Sequence, residues 1–558
     1  MTVPSLKHLY YVIVDVDKIQ EFIFESSSLK HIVGASVLIA YLTSREFCLE
    51  NNILNGSDKV EDIEDLTGSK WLEIYFGGGN LKLLFAGKET AMDFLRAYQL
   101  RFYRELESAS FTSIIYEIDI TDVDRFEKRL DDAEKELTRL KLGKQKSVNN
   151  FANPVFEICP FCKKRCLETN EKFKIYDQDD GVKKSACKEC REKERAQRDG
   201  ALKMLYKDTL LGTFFNRFRE QEYPARGKLM KELNDVRKGE GSFLGIVTID
   251  GNRFGEKLRS HINEQIKNEA PGNKVNRYIK RLHEFSQEIG EKTVVALLET
   301  FKKLNYNKKI LFRPIIIGGD DICFVMDGRL VLPFTEHLLK VLEKQFSHYG
   351  LTFAAGISIV KPHFPFFVAH RLSEALLKNV KRIDREYSGL DFEVVFSSTV
   401  ENLDQMRKTK YEYSLAKQTY VTTFRPYFIE SEYKAAKIND TLAYRFLKPT
   451  LGMALGIENR NLLARNKIKQ LRSLVRKGET VSGYDFRLMI GRMSGEDREN
   501  IRKRLANIYK TRDMIWIKDG NTLYNNFIDI AELNEFYSEI NLNKEAKGQG
   551  GSNGLDGR

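Results

Sequence analysis

Two adjacent aspartates, Asp320 and Asp321, follow Gly318 and Gly319 between the apolar runs Leu311–Ile317 and Ile322–Met326. A third, Asp250, ends the apolar run Phe243–Asp250. An acid pair at a hairpin tip, beside an acid at a strand end, is suited to phosphoryl transfer. That chemistry asks for two divalent cations about 4 Å apart, one activating the attacking 3′-oxygen and one steadying the leaving pyrophosphate. Carboxylates are the ligands that such hard cations take, so Mg²⁺ or Mn²⁺ is expected at Asp250, Asp320 and Asp321. Asp320, the first acid after the glycines, is the better candidate ligand. Asp321 either shares the metals or acts on the attacking hydroxyl. The competing reading is an ordinary acidic turn, since Gly and Asp both favour turns. Strands on both sides and the upstream Asp250 weigh against it.

A second constellation is made of sulfur. Cys159-Pro-Phe-Cys162 and Cys187-Lys-Glu-Cys190 are two short knuckles separated by residues 163–186, slightly longer than the commonest zinc ribbons. Four such thiolates suit a tetrahedral structural Zn²⁺ with no open position for catalysis. Cys166 is a possible substitute ligand, and Cys48 and Cys323 sit in apolar runs as core residues. The chain has eight histidines but no His-Asp dipeptide, so a metal phosphohydrolase built on that pair is not expected.

The elements that must position these groups recur in order. Tyr10–Asp15 reads as a strand, Gly34–Cys48 as a helix, Trp71–Phe76 and Leu81–Phe85 as a hairpin around Gly77–Asn80, Lys88–Leu106 as a helix and Phe111–Ile120 as a strand. The same β-α-β-β-α-β order returns between Phe243 and Val360, which predicts an internal duplication of a ferredoxin-like unit. In the first copy Asp15 and Asp17 stand at the strand end, but the hairpin carries Gly79–Asn80 where the acids would be, and Asn is a poor ligand for a hard cation. That copy either binds a nucleotide on which the other acts or only packs. The fold class expected is α+β and multidomain: two ferredoxin-like palms, a Cys₄ module between them and a helical C-terminal domain. The divisions fall at 1–122, 123–240, 241–400, 401–543 and a disordered tail over 544–558.

The net charge of +12 favours phosphate-rich partners, or is simply a basic surface. Lys378 and Lys381 follow the last strand of the second copy and could reach triphosphate oxygens, although a solvated face suits Lys378 better. Arg460, Arg465, Lys467, Lys469, Arg472, Arg476 and Lys477 either track a nucleic-acid backbone or face water. No apolar run approaches the ~20 residues needed to cross a bilayer, and the N-terminus lacks a leader pattern. A cytoplasmic protein with no membrane partner is expected.

From Tyr10 to Phe396 the motifs, taken in order, resemble the large palm-domain polymerase–cyclase subunit of type III CRISPR effector complexes. DVDKIQEFIF, LKHIVGAS and GGGN mark a first palm, the cysteines a zinc module, and IDGNRFG, IIIGGDD and AAGISIVKPHFPF a second palm. The resemblance implies that ATP binds between the palms and is joined through 3′–5′ linkages into cyclic oligoadenylate, a second messenger in antiviral defence. It implies activation by target RNA on a guide RNA within a multisubunit ribonucleoprotein, with other effector subunits as partners. It also implies Asp250, Asp320 and Asp321 as the catalytic metal centre, with Gly78, Gly79, Asn80, Gly251, Asn252, Gly318, Gly319 and Lys381 around the nucleotides. Two departures stand out. The chain starts at the first palm, without the His-Asp nuclease domain of many members, so DNA cleavage is not expected. Asn252 stands where an acid often follows. A stand-alone palm cyclase and a catalytically silent RNA-binding scaffold subunit are the alternatives; the intact Gly-Gly-Asp-Asp argues against the scaffold.

Overall fold

A computed structural model describes residues 8–144, 157–163, 174–176, 182–198, 206–220, 227–235, 243–305, 310–396, 402–430, 445–455, 463–511, 514–537 and 541–542, apart from isolated positions within these ranges. Cys166, Arg460 and the tail 544–558 lie outside the described residues.

Alternating β-branched and aromatic residues make His8–Val16 (β1) a strand whose two faces serve two cores. Val12 and Val14 join the larger core, while Tyr11 and Ile13 pack in a second with Phe126, Leu130 and Leu137. This is the period of two that strand geometry imposes. Helix Leu29–Leu42 (α1) follows, and Thr43–Ser44 breaks the longer helix expected there; the Ser44 side chain caps a new start by accepting from the Phe47 amide at 3.1 Å. Trp71–Gly77 (β2) and Asn80–Phe85 (β3) form the hairpin, Lys88–Glu105 (α2) crosses back, and Phe111–Asp119 (β4) completes the unit. The antiparallel order β2-β3-β1-β4, extended by the short strand Lys59–Val60 beside β2, is ferredoxin-like. Helix Val123–Gly143 (α3), with Asp122 as its N-cap, lays Phe126, Leu130 and Leu137 on the outer face of this sheet.

Helix Lys188–Ala196 (α4) begins at Cys187 and anchors the cysteine module to the first palm. Its Lys193, fully buried, pairs with Glu25, donates to the Phe22 carbonyl at 3.2 Å and lies 3.7 Å from the Phe22 ring centroid. Removing one partner of such a buried pair costs about 3–5 kcal/mol, because the other charge stays in the dry interior.

The second unit repeats the first. Leu244–Gly251 (β5), helix Pro271–Lys303 (α5), Ile310–Gly318 (β6), Asp321–Asp327 (β7), Val331–Gln345 (α6) and Phe353–Val360 (β8) give the order β6-β7-β5-β8. Helix Phe366–Ile383 (α7) then covers the sheet and Gly389–Val394 (β9) extends it beside β8. The sheet reaches seven strands by taking Gly227–Leu229 at one edge and Tyr427–Phe428 at the other.

The C-terminal region is helical, with one correction to the all-helical expectation. Glu412–Leu415, Gln418–Val421, Thr522–Tyr524 and Ile517–Asp519 form a small four-stranded sheet within it. Its hairpin turns on Ala416 and Lys417 at φ 51° and 65°, without the glycine or asparagine that announces such a turn. Buried ion pairs join this region to the second sheet: Arg425 contacts Glu393 at 3.4 Å and Asp529 at 3.0 Å and also pairs with Glu532, while Arg407 holds Asp391 at 2.6 Å. Among the described residues no helix is long and apolar enough to cross a membrane.

Candidate active site and metal centres

Antiparallel pairing places the acids. Ile249 sits opposite Ile322 in the β5–β7 pair, which brings Asp250 at the end of β5 beside Asp321 at the start of β7. The β6–β7 hairpin closes from Gly318 to Asp321, with Gly319 at φ 70° in the turn and its carbonyl accepting from Thr293 Oγ1 at 2.8 Å. Asp320 then leans over β5. A Cβ built on Gly251 would stand 3.1 Å from its Oδ2, so the carboxylate lies close against the bare backbone of β5. Burial first, and then the charge of Asp250, raises Asp320 to a pKa of about 7. Asp321, although exposed at the mouth of the cleft, is raised to about 8 by the same two causes, desolvation first and then the Asp250 charge.

Lys381, in the last turn of α7, ion-pairs with Asp250 and donates to the Gly251 carbonyl at 2.8 Å. Lys378 is exposed and lines a cavity of about 520 Å³ with Arg371, Arg382 and Asp404, on the flank of α7. Asn252 does not reach the cleft. It is fully buried, its side-chain amide donating to Thr352 Oγ1 at 3.1 Å and to the Tyr387 carbonyl at 3.4 Å, which ties the residue after the strand end to the α7–β9 connection.

The first palm faces this site with its own hairpin. A Cβ on Gly318 would lie 3.5 Å from Cα of Gly78, so the two turns abut. Tyr75 of β2 has its pKa pushed up to about 12, by burial first and then by the negative charge of Asp320. Asn80 pairs across with Asp15. Both first-palm acids have internal partners that the sequence did not suggest. Asp15 pairs with Lys141 of α3, although burial still raises its pKa. Asp17 accepts from Lys144 at 2.7 Å, Thr112 at 2.6 Å and Ser110 at 2.9 Å; burial would raise its pKa, but these bonds outweigh it and hold it low.

Other residues near the acids carry no sequence signal of their own. Glu374, two turns before Lys381 on α7, contributes to the raised proton affinity of Asp321 and accepts a hydrogen bond from Gln20 of the first palm. On the C-terminal helices, Arg472 pairs with Glu535 at 3.5 Å, Arg476 donates to the Lys410 carbonyl at 2.6 Å and Lys477 pairs with Asp485 at 2.7 Å. These three are engaged within the chain, whereas Lys469 is exposed.

The cysteines fit zinc closely. Cys159, Cys162, Cys187 and Cys190 are buried, and their sulfurs all lie within 4.8 Å of one another. Tetrahedral ligation at ~2.3 Å separates sulfurs by roughly 3.8 Å, and Cys159–Cys190 and Cys162–Cys187 are each at 3.9 Å. A disulfide would need about 2.05 Å. Among the described residues this is the one group of three or more ligand side chains so tightly gathered. The aspartates are held more openly, with Lys381 as counter-ion to Asp250. The hard oxygens of all three, and the raised proton affinities of Asp320 and Asp321 beside Asp250, are those of ligands suited to a divalent cation.

Residues 243–387 match a family model described as Cas10/Cmr2, second palm domain. No curated protein matches the chain in sequence. Among solved structures the chain is similar to a Csm1–Csm4 cassette in complex with cA4, at 14% identity and a TM-score of 0.44, over 87% of this chain and 65% of that one. It is similar to the cassette in complex with cA3 at 13% and 0.47, over 91% and 69%. It is also similar to Csm1 in T. onnurineus at 14% and 0.44, over 87% and 64%. The chain thus spans about two thirds of the length of these relatives. The matched segment is the one that carries Asp250 and the Gly-Gly-Asp-Asp hairpin, so the family likeness is that of residues 243–387 to a Cas10/Cmr2 second palm domain.

Proposed function

We propose that this chain is a type III CRISPR effector subunit whose second palm joins ATP into cyclic oligoadenylate when its complex binds target RNA. The observation that carries the reading is the meeting of Asp250, Asp320, Asp321 and Lys381 at one sheet end, against the glycine turn of the other palm. Mg²⁺ or Mn²⁺, held by the three aspartates, would supply the charge that activates a 3′-oxygen and stabilises the leaving pyrophosphate. Asp320, leaning over Gly251, is the inner ligand. Asp321 either shares the metals or takes the proton that the 3′-hydroxyl loses as its oxygen bonds to the α-phosphorus of the second ATP and pyrophosphate leaves. Lys381 holds its ammonium at Asp250 and Gly251, within the same end of the cleft as the triphosphate. The Gly77–Asn80 turn offers bare backbone to a nucleotide, and Tyr75 forms the wall behind it. The first palm is read as a nucleotide-holding partner without its own metal pair, since its hairpin carries Gly79–Asn80 where the second palm has Asp320–Asp321. Guide RNA and neighbouring subunits belong to the same reading and lean on the resemblance alone.

Replacing Asp320 and Asp321 together by Ala is expected to abolish product formation, with the circular dichroism spectrum preserved. Turnover equal to that of the unaltered protein would remove the site assignment.

A further inference from the structure

The two palms also meet along a seam outside the acid cluster. Phe24, just past the short helix Ile19–Ile23, stacks on Phe366 with ring centroids 5.6 Å apart and lies 3.9 Å from the ring of His370. One turn further along α7, Gln20 donates its side-chain amide to Glu374. Positions 366, 370 and 374 fall on one face of the helix, so the segment that follows β1 is laid along the helix that ends in Lys381. Two further contacts fix the ends of this arrangement. Ser373 Oγ and Thr248 Oγ1, 2.7 Å apart, tie α7 to β5 two residues before Asp250. Ile19, the neighbour of Gln20, packs so closely on the first-palm turn that a Cβ on Gly79 would stand 2.1 Å from its Cδ1. Residues 19–24 therefore touch both the turn of one palm and the catalytic-side helix of the other.

The chemistry of the seam divides along its length. Phe24, Phe366 and His370 are buried and supply adhesion, whereas Gln20 is exposed and Glu374 half-buried at the solvent edge. Aromatic packing tolerates sliding; a directional hydrogen bond does not. We propose that Gln20 and Glu374 are positioning residues of the inter-palm cleft: their hydrogen bond fixes the register of α7 against the first palm, and so the spacing between Lys381 and the Gly77–Asn80 turn. The inference rests on the reading of that cleft as the nucleotide site. A cleft held at its working width needs less ordering when the second nucleotide enters, and the gain appears as affinity.

The test is calorimetric titration of the full chain with α,β-methylene-ATP and Mg²⁺, in which binding is read without turnover. The unaltered chain should bind two molecules. Gln20→Ala and Glu374→Ala should each weaken the weaker step about tenfold, and the double variant should be no worse than either single one, because they remove the same bond. Glu374→Gln should stay within about twofold of the unaltered chain, because its carbonyl still accepts from Gln20. In turnover, Gln20→Ala should raise KM and leave kcat in place. Unchanged binding by Gln20→Ala, strictly additive losses, or a Glu374→Gln as impaired as Glu374→Ala would each overturn the proposal while leaving the cleft reading intact. Failure of the unaltered chain to bind any nucleotide would overturn both.

Discussion

Asp320 and Asp321 show how single residues set the working conditions of the site. Their folded-state pKa values, about 7 and about 8, lie above the ordinary carboxylate value because burial and the Asp250 charge penalise ionisation. The folded chain therefore binds more protons here than the unfolded chain does. Stability from this source is present at low pH and is lost as pH rises from the ordinary carboxylate range through 7 to 8. Without metal, the chain should melt lower at about pH 9 than at about pH 6 through this contribution; Mg²⁺ should restore most of the loss, and Asp320→Asn with Asp321→Asn should flatten the dependence. Metal affinity should run the other way, rising across the same window as protons leave. A melting temperature that increases with pH in the metal-free chain, or Mg²⁺ without effect at high pH, would count against this electrostatic picture. The contrast with the first palm is equally local. Gly79 has φ 88° and stands against Ile19, so Gly79→Asp should not create a second metal site and should cost about 1–3 kcal/mol in strain and crowding. Denaturant unfolding measures the cost and Mn²⁺ binding checks the site; an unstrained variant binding extra Mn²⁺ would refute it. At this scale the sequence was informative, because an acid at a strand end and two acids after Gly-Gly need only strand pairing to meet. Lys141, Lys144 and Glu374 were not legible, since each acts on a partner brought near only by the packing of a helix on a sheet.

The element that most depends on a ligand is the cysteine module. Its sulfurs are spaced for tetrahedral zinc, and structural zinc supplies much of the folding energy of so small a unit. Cys187→Ser, or treatment with a strong chelator, should lower the melting temperature by several degrees or more and loosen α4 from the first palm. Mass spectrometry of the native protein should find one zinc per chain. A full complement of reactive thiols without zinc would contradict the assignment. The paired knuckles made this element readable from spacing alone. The buried Lys193–Glu25 pair that docks it was not, because a lysine in a charged run such as REKERA gives no sign of being inside. The small C-terminal sheet escaped for a related reason: its hairpin turns on Ala416–Lys417, residues that carry no turn signature. The duplicated palms were legible because hydrophobic alternation, a Gly-rich turn and an acid at the strand end recur in the same order in both.

At the scale of the whole molecule, the proposed site lies where the two palms meet. The turns at Gly78 and Gly318 abut, Tyr75 feels the acids of the other palm, and buried ion pairs around Arg425 bind the C-terminal region to the far edge of the catalytic sheet. Relations of this kind were beyond sequence reading, since they depend on how one sheet lies against the next. They support the proposal that the joined palms hold ATP for conversion to a cyclic product, while its control by a bound RNA leans on the resemblance alone. The most direct test is mass spectrometry of products formed from ATP and Mg²⁺ or Mn²⁺, by the chain alone and in its complex, with and without matching target RNA. The account predicts cyclic oligoadenylate from the RNA-bound complex and none when Asp320 and Asp321 are both Ala. A complex that demonstrably binds target RNA yet yields no cyclic product from ATP would contradict it.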